Sequence, residues 1–261
     1  MYSLNVIIPS RTQPKQQKFL LQAMDGIKKQ SVISKFQIKI ILGIDKGENL
    51  EIDGLQDMPF EFVISNSKGY SQAEALNCAI KKVDAEYVAF LEDDDIWLPN
   101  FLELSEKLIK NEVEFISSTQ TEIDENDNIL RTNDFPTPSG WFMTSKLLDR
   151  VGLFDETFRF HLDNEWLGRL AVSNAARGHL VEITAPVELK YTSQVRPWLS
   201  NVVTLGGDNS RLFRHNLPYP QVRRLVHSGS GMAKIAADPI LSEISNIEVE
   251  RLISIFGRVP W

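Results

Sequence analysis

Short apolar runs rich in β-branched residues alternate with amphipathic segments through the first half of the chain. The apolar runs are typical of strands and the amphipathic segments are typical of helices. Strands are predicted over residues 4–8, 38–44, 60–65, 87–91 and 113–117, and helices over residues 14–29, 71–83 and 100–111. This alternation predicts an α/β fold with a mostly parallel sheet flanked by helices.

The pattern changes after residue 119. Residues 121–131 alternate around a polar turn as a hairpin does, and short helices are expected over 145–151 and 163–176. Strand-like runs follow over 180–183 and 187–191, and helical patterns over 220–237 and 240–256. We therefore expect an α/β domain over residues 1–194 and a helical C-terminal extension over residues 195–261.

Composition narrows the class of protein. The chain has 261 residues, of which 43% are hydrophobic and 24% charged, as expected of a soluble protein with a sizeable core. A formal net charge of −7 disfavours nucleic acid as a partner. The N-terminus does not resemble a signal peptide, so we expect a cytoplasmic protein. The single cysteine, Cys78, excludes an internal disulfide and a cysteine-based zinc site.

The segment with the clearest chemistry is the acidic run Glu92, Asp93, Asp94 and Asp95, directly after an apolar strand. In open α/β sheets, ligands bind beyond the carboxyl ends of the strands. Carboxylates this close repel one another, and a divalent cation that also bridges to a ligand's phosphates would compensate them. The alternative is an acidic turn that is simply solvated.

Together with other motifs, this run resembles the inverting glycosyltransferases of family 2. The other motifs are Val6-Ile7-Ile8-Pro9-Ser10, Gly43-Ile44-Asp45 and Asn66-Ser67-Lys68-Gly69. The resemblance spans residues 1 to about 190. It implies a GT-A-type, Rossmann-like mixed sheet, mostly parallel and flanked by helices, with a helical C-terminal appendage. Members transfer a sugar from a nucleotide-diphosphate sugar donor to an acceptor, usually with Mg²⁺ or Mn²⁺.

The resemblance implies donor contacts from Pro9, Ser10, Arg11, Asp45, Lys68 and Gly69. Asp45 falls where a family acid contacts the base, although a turn or helix-cap role is the alternative. Lys68 and Gly69 match a loop near the ribose and diphosphate, although glycine can also serve only to turn the chain.

The resemblance also assigns roles within the acidic run. Asp94 aligns with the metal-binding aspartate, and Asp93 with its neighbour that contacts the ribose. Asp95 is either a further metal ligand or a cap for the turn before Pro99. Glu92 stands where many relatives have aspartate, so its contact stays open.

The catalytic base implied by the resemblance is Asp163, which would take the acceptor's proton during an inverting displacement. Leu162 replaces the glutamate that usually precedes it. Asp163 would also suit a helix N-cap, a structural alternative. Glu165 is the substitute candidate for the base.

The predicted function is metal-dependent, inverting sugar transfer to a glycan or lipid-linked acceptor, in surface glycan or glycoconjugate biosynthesis. One alternative is a sugar-phosphate nucleotidyltransferase, although Pro9-Ser10-Arg11-Thr12 lacks the glycines of such a first loop. The other is a non-catalytic nucleotide-sugar-binding or assembly module, which Leu162 supports.

Three further features have open interpretations. Basic residues near the C-terminus could favour peripheral contact with an anionic membrane or could be solvated helix faces: Arg211, Arg214, Arg223 and Arg224. The amphipathic tail could form a homo-oligomer interface. Trp141 is either a platform for the acceptor sugar or a core residue.

Overall fold

The computed structural model describes residues 1–11, 14–46, 52–110, 113–133, 135–182, 214–215 and 220–260. The expected domain boundary between residues 194 and 195 lies outside these ranges. Arg211 and the strand expected over 187–191 lie outside them as well.

The strands are β1 (Tyr2–Ser10), β2 (Phe36–Ile44), β3 (Glu61–Asn66), β4 (Tyr87–Phe90), β5 (Ile96–Trp97), β6 (Phe115–Ser118), β7 (Gln120–Ile123), β8 (Ile129–Asn133), β9 (Phe142–Thr144), β10 (Arg177–Glu182), β11 (Arg214–His215) and β12 (Val222–Leu225). The helices are α1 (Pro14–Lys28), α2 (Gln72–Ile80), α3 (Phe101–Ile109), α4 (Ser145–Val151), α5 (Leu162–Val172), α6 (Gly231–Ala237) and α7 (Pro239–Phe256). The strands and helices predicted before residue 120 are confirmed, with ends shifted by a few residues.

Within the described residues, the larger sheet has the order β11-β10-β6-β9-β4-β1-β2-β3. β1 pairs in parallel with β2 and β4, and β2 pairs in parallel with β3. β9 is antiparallel to both β4 and β6, so the sheet is mixed. The predicted mixed, mostly parallel sheet is confirmed, and it places the carboxyl ends of β1 to β4 along one edge.

Each face of this sheet has its own apolar core, because successive strand residues point to opposite faces. Val6 and Ile8 of β1 belong to a cluster that also contains Leu20 of α1. Ile7 belongs to the other cluster, with Leu76 of α2 and residues of α4 and α5. The site edge therefore rests on two packed layers of helices.

The helix predicted over residues 220–237 is wrong in its first part, where β12 forms instead. In the smaller sheet of the described residues, ordered β5-β12-β7-β8, this strand lies between β5 and β7. Val222 is opposite Trp97 and fully buried. A local pattern could not predict this strand, because its partners lie far away in the sequence. α6 and α7 then form the C-terminal helices, and no helix among the described residues is long and apolar enough to cross a membrane.

Candidate active site

The ends of β1 and β2 hold the first group of predicted donor contacts. Pro9 lies near the end of β1, partly buried, and is followed by Ser10 and Arg11. The Ser10 hydroxyl donates a hydrogen bond to Asp93 Oδ2 at 2.6 Å, which joins the ends of β1 and β4. Arg11 Nε lies 3.6 Å from Asp45 Oδ2 at the end of β2. The structure therefore brings these five residues together.

The loop after β3 lies beside them. The backbone N–H of Lys46 donates to the Gly69 carbonyl at 3.0 Å, and the Lys68 side chain is exposed. Ser71 caps α2 in a capping box with Glu74. A side chain at position 69 would meet the Glu74 carboxylate at 1.9 Å, so glycine leaves room for that cap.

The residues after β4 form what we call the acidic tip, residues 92–95. Glu92 Oε1 accepts a hydrogen bond from Gln72 Nε2 at 2.8 Å. Asp95 Oδ2 accepts one from the Ser139 hydroxyl at 2.6 Å, and its Oδ1 accepts one from the Leu225 N–H at 3.0 Å. Asp95 thus also ties the acidic tip to β12.

The acidic tip suits a divalent cation. Glu92, Asp94 and Asp95 each offer an oxygen, and these oxygens lie within 4.8 Å of one another. Burial and the charge of Asp94 raise the pKa of Glu92 to about 7, and the same causes raise the pKa of Asp93 and of Asp95 well above the ordinary value. A hard cation prefers such oxygen ligands and would offset the cost of burying like charges, so these residues fit Mg²⁺ or Mn²⁺.

His227 is a site residue that sequence analysis missed. Its Nε2 lies 3.0 Å from Asp94 Oδ2, and its Nδ1 accepts a hydrogen bond from the Gly229 N–H. We assign the proton to Nε2, which then donates to Asp94. The ring also packs against Phe19, at 5.7 Å between centroids. The histidines of this chain have no metal-ligand spacing, so the sequence held no signal for this contact.

Asp163 lies in the first turn of α5 and is close enough to the acidic tip to affect it. Its charge contributes to the raised pKa of Glu92, whereas Arg224 opposes that rise. Burial raises the pKa of Asp163 itself, again against the opposing charge of Arg224. The N-cap of α5 is His161, so the N-cap alternative for Asp163 is wrong.

Glu165 is engaged elsewhere. Its Oε1 and Oε2 accept hydrogen bonds from Nε and Nη2 of Arg169, both at 2.7 Å. Arg169 Nη2 also donates to the Leu153 carbonyl at 2.7 Å, which ties α5 to the preceding loop. Glu165 is only 6% exposed and holds α5 in place, so it is poorly suited to be the substitute base.

Two further residues belong to the core. Trp141 is fully buried, lies parallel to Phe154 with 6.2 Å between ring centroids, and donates its indole N–H to the Pro136 carbonyl at 2.7 Å. Its interpretation as an acceptor platform is therefore wrong. Leu162 is 4% exposed in the same apolar cluster, which explains an apolar residue at this position.

Arg224 lies in β12, where the expected solvated helix face is wrong. Its Nη1 donates to Glu122 Oε1 at 3.0 Å, and its side chain is 19% exposed. Burial alone would lower the pKa of Arg224, but the charges of Glu92, Asp95 and other nearby acids outweigh burial and raise it. Arg224 is thus a cation that faces the acidic tip and Asp163.

Residues 5–167 match the family model described as Glycosyl transferase family 2. The chain belongs to this family. The match favours glycosyl transfer over the nucleotidyltransferase alternative and agrees with the resemblance in the motifs. No curated protein matches the chain at a significant level.

Solved structures similar to this family member include S. aureus TarS 1-349. Its complex with UDP-GlcNAc has a TM-score of 0.63 and 12% identity, over 96% of this chain and 66% of that chain. Its complex with UDP has a TM-score of 0.58 and 13% identity, over 97% and 72%. A further structure of TarS 1-349 has a TM-score of 0.52 and 16% identity, over 69% and 57%. The chain thus spans between 57% and 72% of these structures, and the likeness shows a shared GT-A fold.

Proposed function

We propose that this family 2 member transfers a sugar from a nucleotide-diphosphate sugar to an acceptor hydroxyl, with Mg²⁺ or Mn²⁺ and with inversion at the anomeric carbon. The observation that carries the proposal is the acidic tip at the carboxyl edge of the parallel strands, with Asp163 near enough for its charge to raise the pKa of Glu92. The TarS structures with UDP-GlcNAc and UDP support this class of donor.

The nucleotide would lie over the ends of β1, β2 and β3. Arg11 and Asp45 offer charged groups for the base and ribose, and Asp93 offers a carboxylate already oriented by Ser10. Lys68 would be available to the diphosphate from its exposed position beside the site.

Asp94 and Asp95, with Glu92 beside them, would hold the cation, and His227 would orient Asp94 through its hydrogen bond. When bound, the cation supplies charge stabilisation to the diphosphate leaving group. The protein contributes fixed carboxylates whose mutual repulsion disfavours the metal-free state.

Asp163 would take the proton of the acceptor hydroxyl as that oxygen bonds to the anomeric carbon. The bond from this carbon to the diphosphate oxygen breaks, and its electron pair leaves with the nucleotide diphosphate. Attack opposite the leaving group inverts the anomeric carbon without a covalent enzyme intermediate. The raised pKa of Asp163 suits a proton acceptor, because a more basic carboxylate holds the proton better.

The family resemblance favours a glycan or lipid-linked acceptor in surface glycan or glycoconjugate biosynthesis. The non-catalytic alternative depended on Leu162, and the place of Leu162 in the core accounts for that residue without loss of a base. Turnover of the donor would distinguish an enzyme from the non-catalytic module.

Thermal unfolding with a panel of nucleotide diphosphates, with and without Mn²⁺, tests the donor site. Ligand at ~100 times its dissociation constant should stabilise the wild type by about 2.7 kcal/mol, or a few degrees. Asp94→Asn should lose the metal-dependent part of this shift. Glu243→Gln, an exposed site on α7, is the control and should keep it. A folded wild type that no nucleotide stabilises would contradict the proposal.

A further inference from the structure

The turn that leads into α5 is held by a carboxylate from the C-terminal helix. Glu248 of α7 is 6% exposed. Its Oε1 accepts a hydrogen bond from the N–H of Arg159 at 2.6 Å. Its Oε2 accepts hydrogen bonds from the N–H groups of Phe160 at 2.9 Å and His161 at 3.0 Å. One side chain thus fixes the direction of consecutive peptide units just before the helix.

These contacts are strong for a physical reason. Hydrogen bonds to an ionised carboxylate are shorter and roughly twice as strong as bonds between neutral groups. Consecutive backbone N–H groups that converge on one point form an anion-binding concavity, and Glu248 occupies it. Without this acceptor the partly buried N–H groups of the turn would lose their partner, and an unsatisfied donor that is shielded from water is unfavourable.

Further contacts from the same region lie on both sides of Asp163. The Ser245 hydroxyl of α7 lies 2.8 Å from His161 Nε2, and His161 Nδ1 lies 3.2 Å from Asn164 Oδ1. The Asn164 side chain donates to the Pro260 carbonyl at 2.8 Å. The residues that flank Asp163 in sequence are therefore tied to α7 and to the segment that follows it.

α7 also packs against α5 around Gly168. A side chain at Gly168 would meet the Phe256 ring at 2.5 Å, so the ring could not keep its place against α5 with a larger residue there. Leu252 is fully buried in the apolar cluster that contains Leu167. The family model ends at residue 167, so α7 lies beyond the part of the chain it matches.

We propose that Glu248 is a positioning residue for the base: it fixes the turn at residues 159–161 and thereby aims Asp163 at the acceptor. The inference rests on the proposed function. Glu248 then affects the rate only through Asp163, from outside the donor site on the ends of β1 to β4.

Glu248→Gln tests the proposal, because the amide keeps the size of the side chain but removes its charge and one acceptor. We expect kcat to fall by roughly tenfold to a hundredfold, the cost of a small misplacement of a reacting group. The KM for the donor and the affinity for the nucleotide should stay unchanged, since the donor site lies on the ends of β1 to β4. Glu250→Gln, exposed on the same helix, is the matched control and should match the wild type. An unchanged kcat in folded Glu248→Gln would overturn the proposal.

A double-mutant cycle separates positioning from a general loss of structure. In an Asp163→Asn background the base is already absent, so Glu248→Gln should cause no further loss of the residual rate. If the losses multiply instead, Glu248 acts independently of Asp163 and the proposal is wrong.

Hydrogen exchange provides a readout that does not depend on turnover. The amides of residues 159–161 should exchange at least about tenfold faster in Glu248→Gln than in Glu250→Gln, since exchange reports local opening. Unchanged exchange would overturn the proposal. If the wild type transfers no sugar while these amides are protected by Glu248, the proposed function fails and the assigned contact stands.

Ser245→Ala serves if Glu248→Gln does not fold, because it removes only the contact to His161. We expect a several-fold fall in kcat with an unchanged KM for the donor. An unchanged kcat in Ser245→Ala would also contradict the proposal.

Discussion

Two groups of buried or half-buried carboxylates among the described residues differ in the partners that surround them. The paired carboxylates are Glu122, Glu165 and Glu248, which accept hydrogen bonds from arginine side chains or backbone N–H groups. The other group is the acidic tip, Glu92, Asp93, Asp94 and Asp95, whose members lie close to one another.

Glu122 and Glu92 show how the partners set the direction of the pKa shift of a carboxyl group. Burial raises the pKa of both carboxyl groups. At Glu122, hydrogen bonds from Arg131 and Asn133 outweigh burial, and the pKa is lowered. At Glu92, the charge of Asp94 adds to burial, and the pKa rises to about 7. The paired carboxylates therefore stabilise the fold, whereas the acidic tip has the perturbed groups typical of a ligand site.

The largest expected effect separates Asp163 from the paired Glu165. Asp163→Asn should lower kcat by about 10²- to 10⁴-fold, the usual contribution of a general base. Glu165→Gln should change kcat by no more than a few fold, because its carboxylate is engaged by Arg169. Steady-state kinetics on both folded variants check this. An equal fall in kcat for both would remove the distinction.

Removal of a paired carboxylate should cost stability. Glu122→Gln would leave Arg131 and the largely buried Arg224 without their charged partner, and we expect a loss of about 2 kcal/mol in the free energy of unfolding. Urea unfolding measures it. Asp127→Asn on the same hairpin is the control, since Asp127 has φ 62° and asparagine tolerates that conformation. A loss no greater than in this control would contradict the pairing.

Removal of a charge from the acidic tip should instead raise the free energy of unfolding. Glu92→Gln keeps an acceptor for Gln72 but relieves repulsion with Asp94, so we expect the metal-free protein to gain about 1 kcal/mol. Thermal unfolding in a chelator measures this gain, and added Mn²⁺ should then stabilise the variant less than the wild type. A lower melting temperature of the variant in chelator would show that Glu92 is paired after all.

The smallest expected effect is the pH dependence of the stability that Glu122 contributes. Its pKa in the folded state lies below the ordinary value of 4.5, so its contribution is fully present above about pH 4.5 and is lost as the pH falls through the lowered pKa. The pH-dependent part of this contribution should be below about 1 kcal/mol, because burial opposes the hydrogen bonds that lower the pKa of Glu122 and because Arg131 is exposed to solvent. The stability difference between wild type and Glu122→Gln should therefore narrow on acidification. A stability difference between the two proteins that stays constant from pH 6 to pH 3 would contradict this prediction.

Much of the site edge could be predicted from local sequence. The apolar runs of β1 to β4 specify strands by their own composition, and Ser71 with Glu74 signals the start of α2 through a capping box. Because strands in this pattern pair in parallel, the residues that follow them lie at one edge, where the structure has Ser10, Asp45 and the acidic tip.

Other parts of the site could not be predicted in this way. β12 is held by pairing with β5 on one side and β7 on the other, and both strands lie far from it in the sequence. That strand carries Arg224 to the acidic tip, and His227 follows it to Asp94. Trp141 and Glu165 were equally ambiguous, since a tryptophan can line a site or a core and a glutamate can be a base or an ion-pair partner.

The sequence alone determined the order of strands and helices at the site edge and the placement of acidic residues after β4, because both depend on neighbours along the chain. The tertiary structure decided which carboxylates are paired. It did so because hydrogen bonds and ion pairs depend on side chains from distant segments: Arg131 and Arg224 at Glu122, Arg169 at Glu165 after α5 has formed, and the turn before α5 at Glu248. In the acidic tip, oxygens of Glu92, Asp94 and Asp95 lie within 4.8 Å of one another, and this arrangement suits a cation.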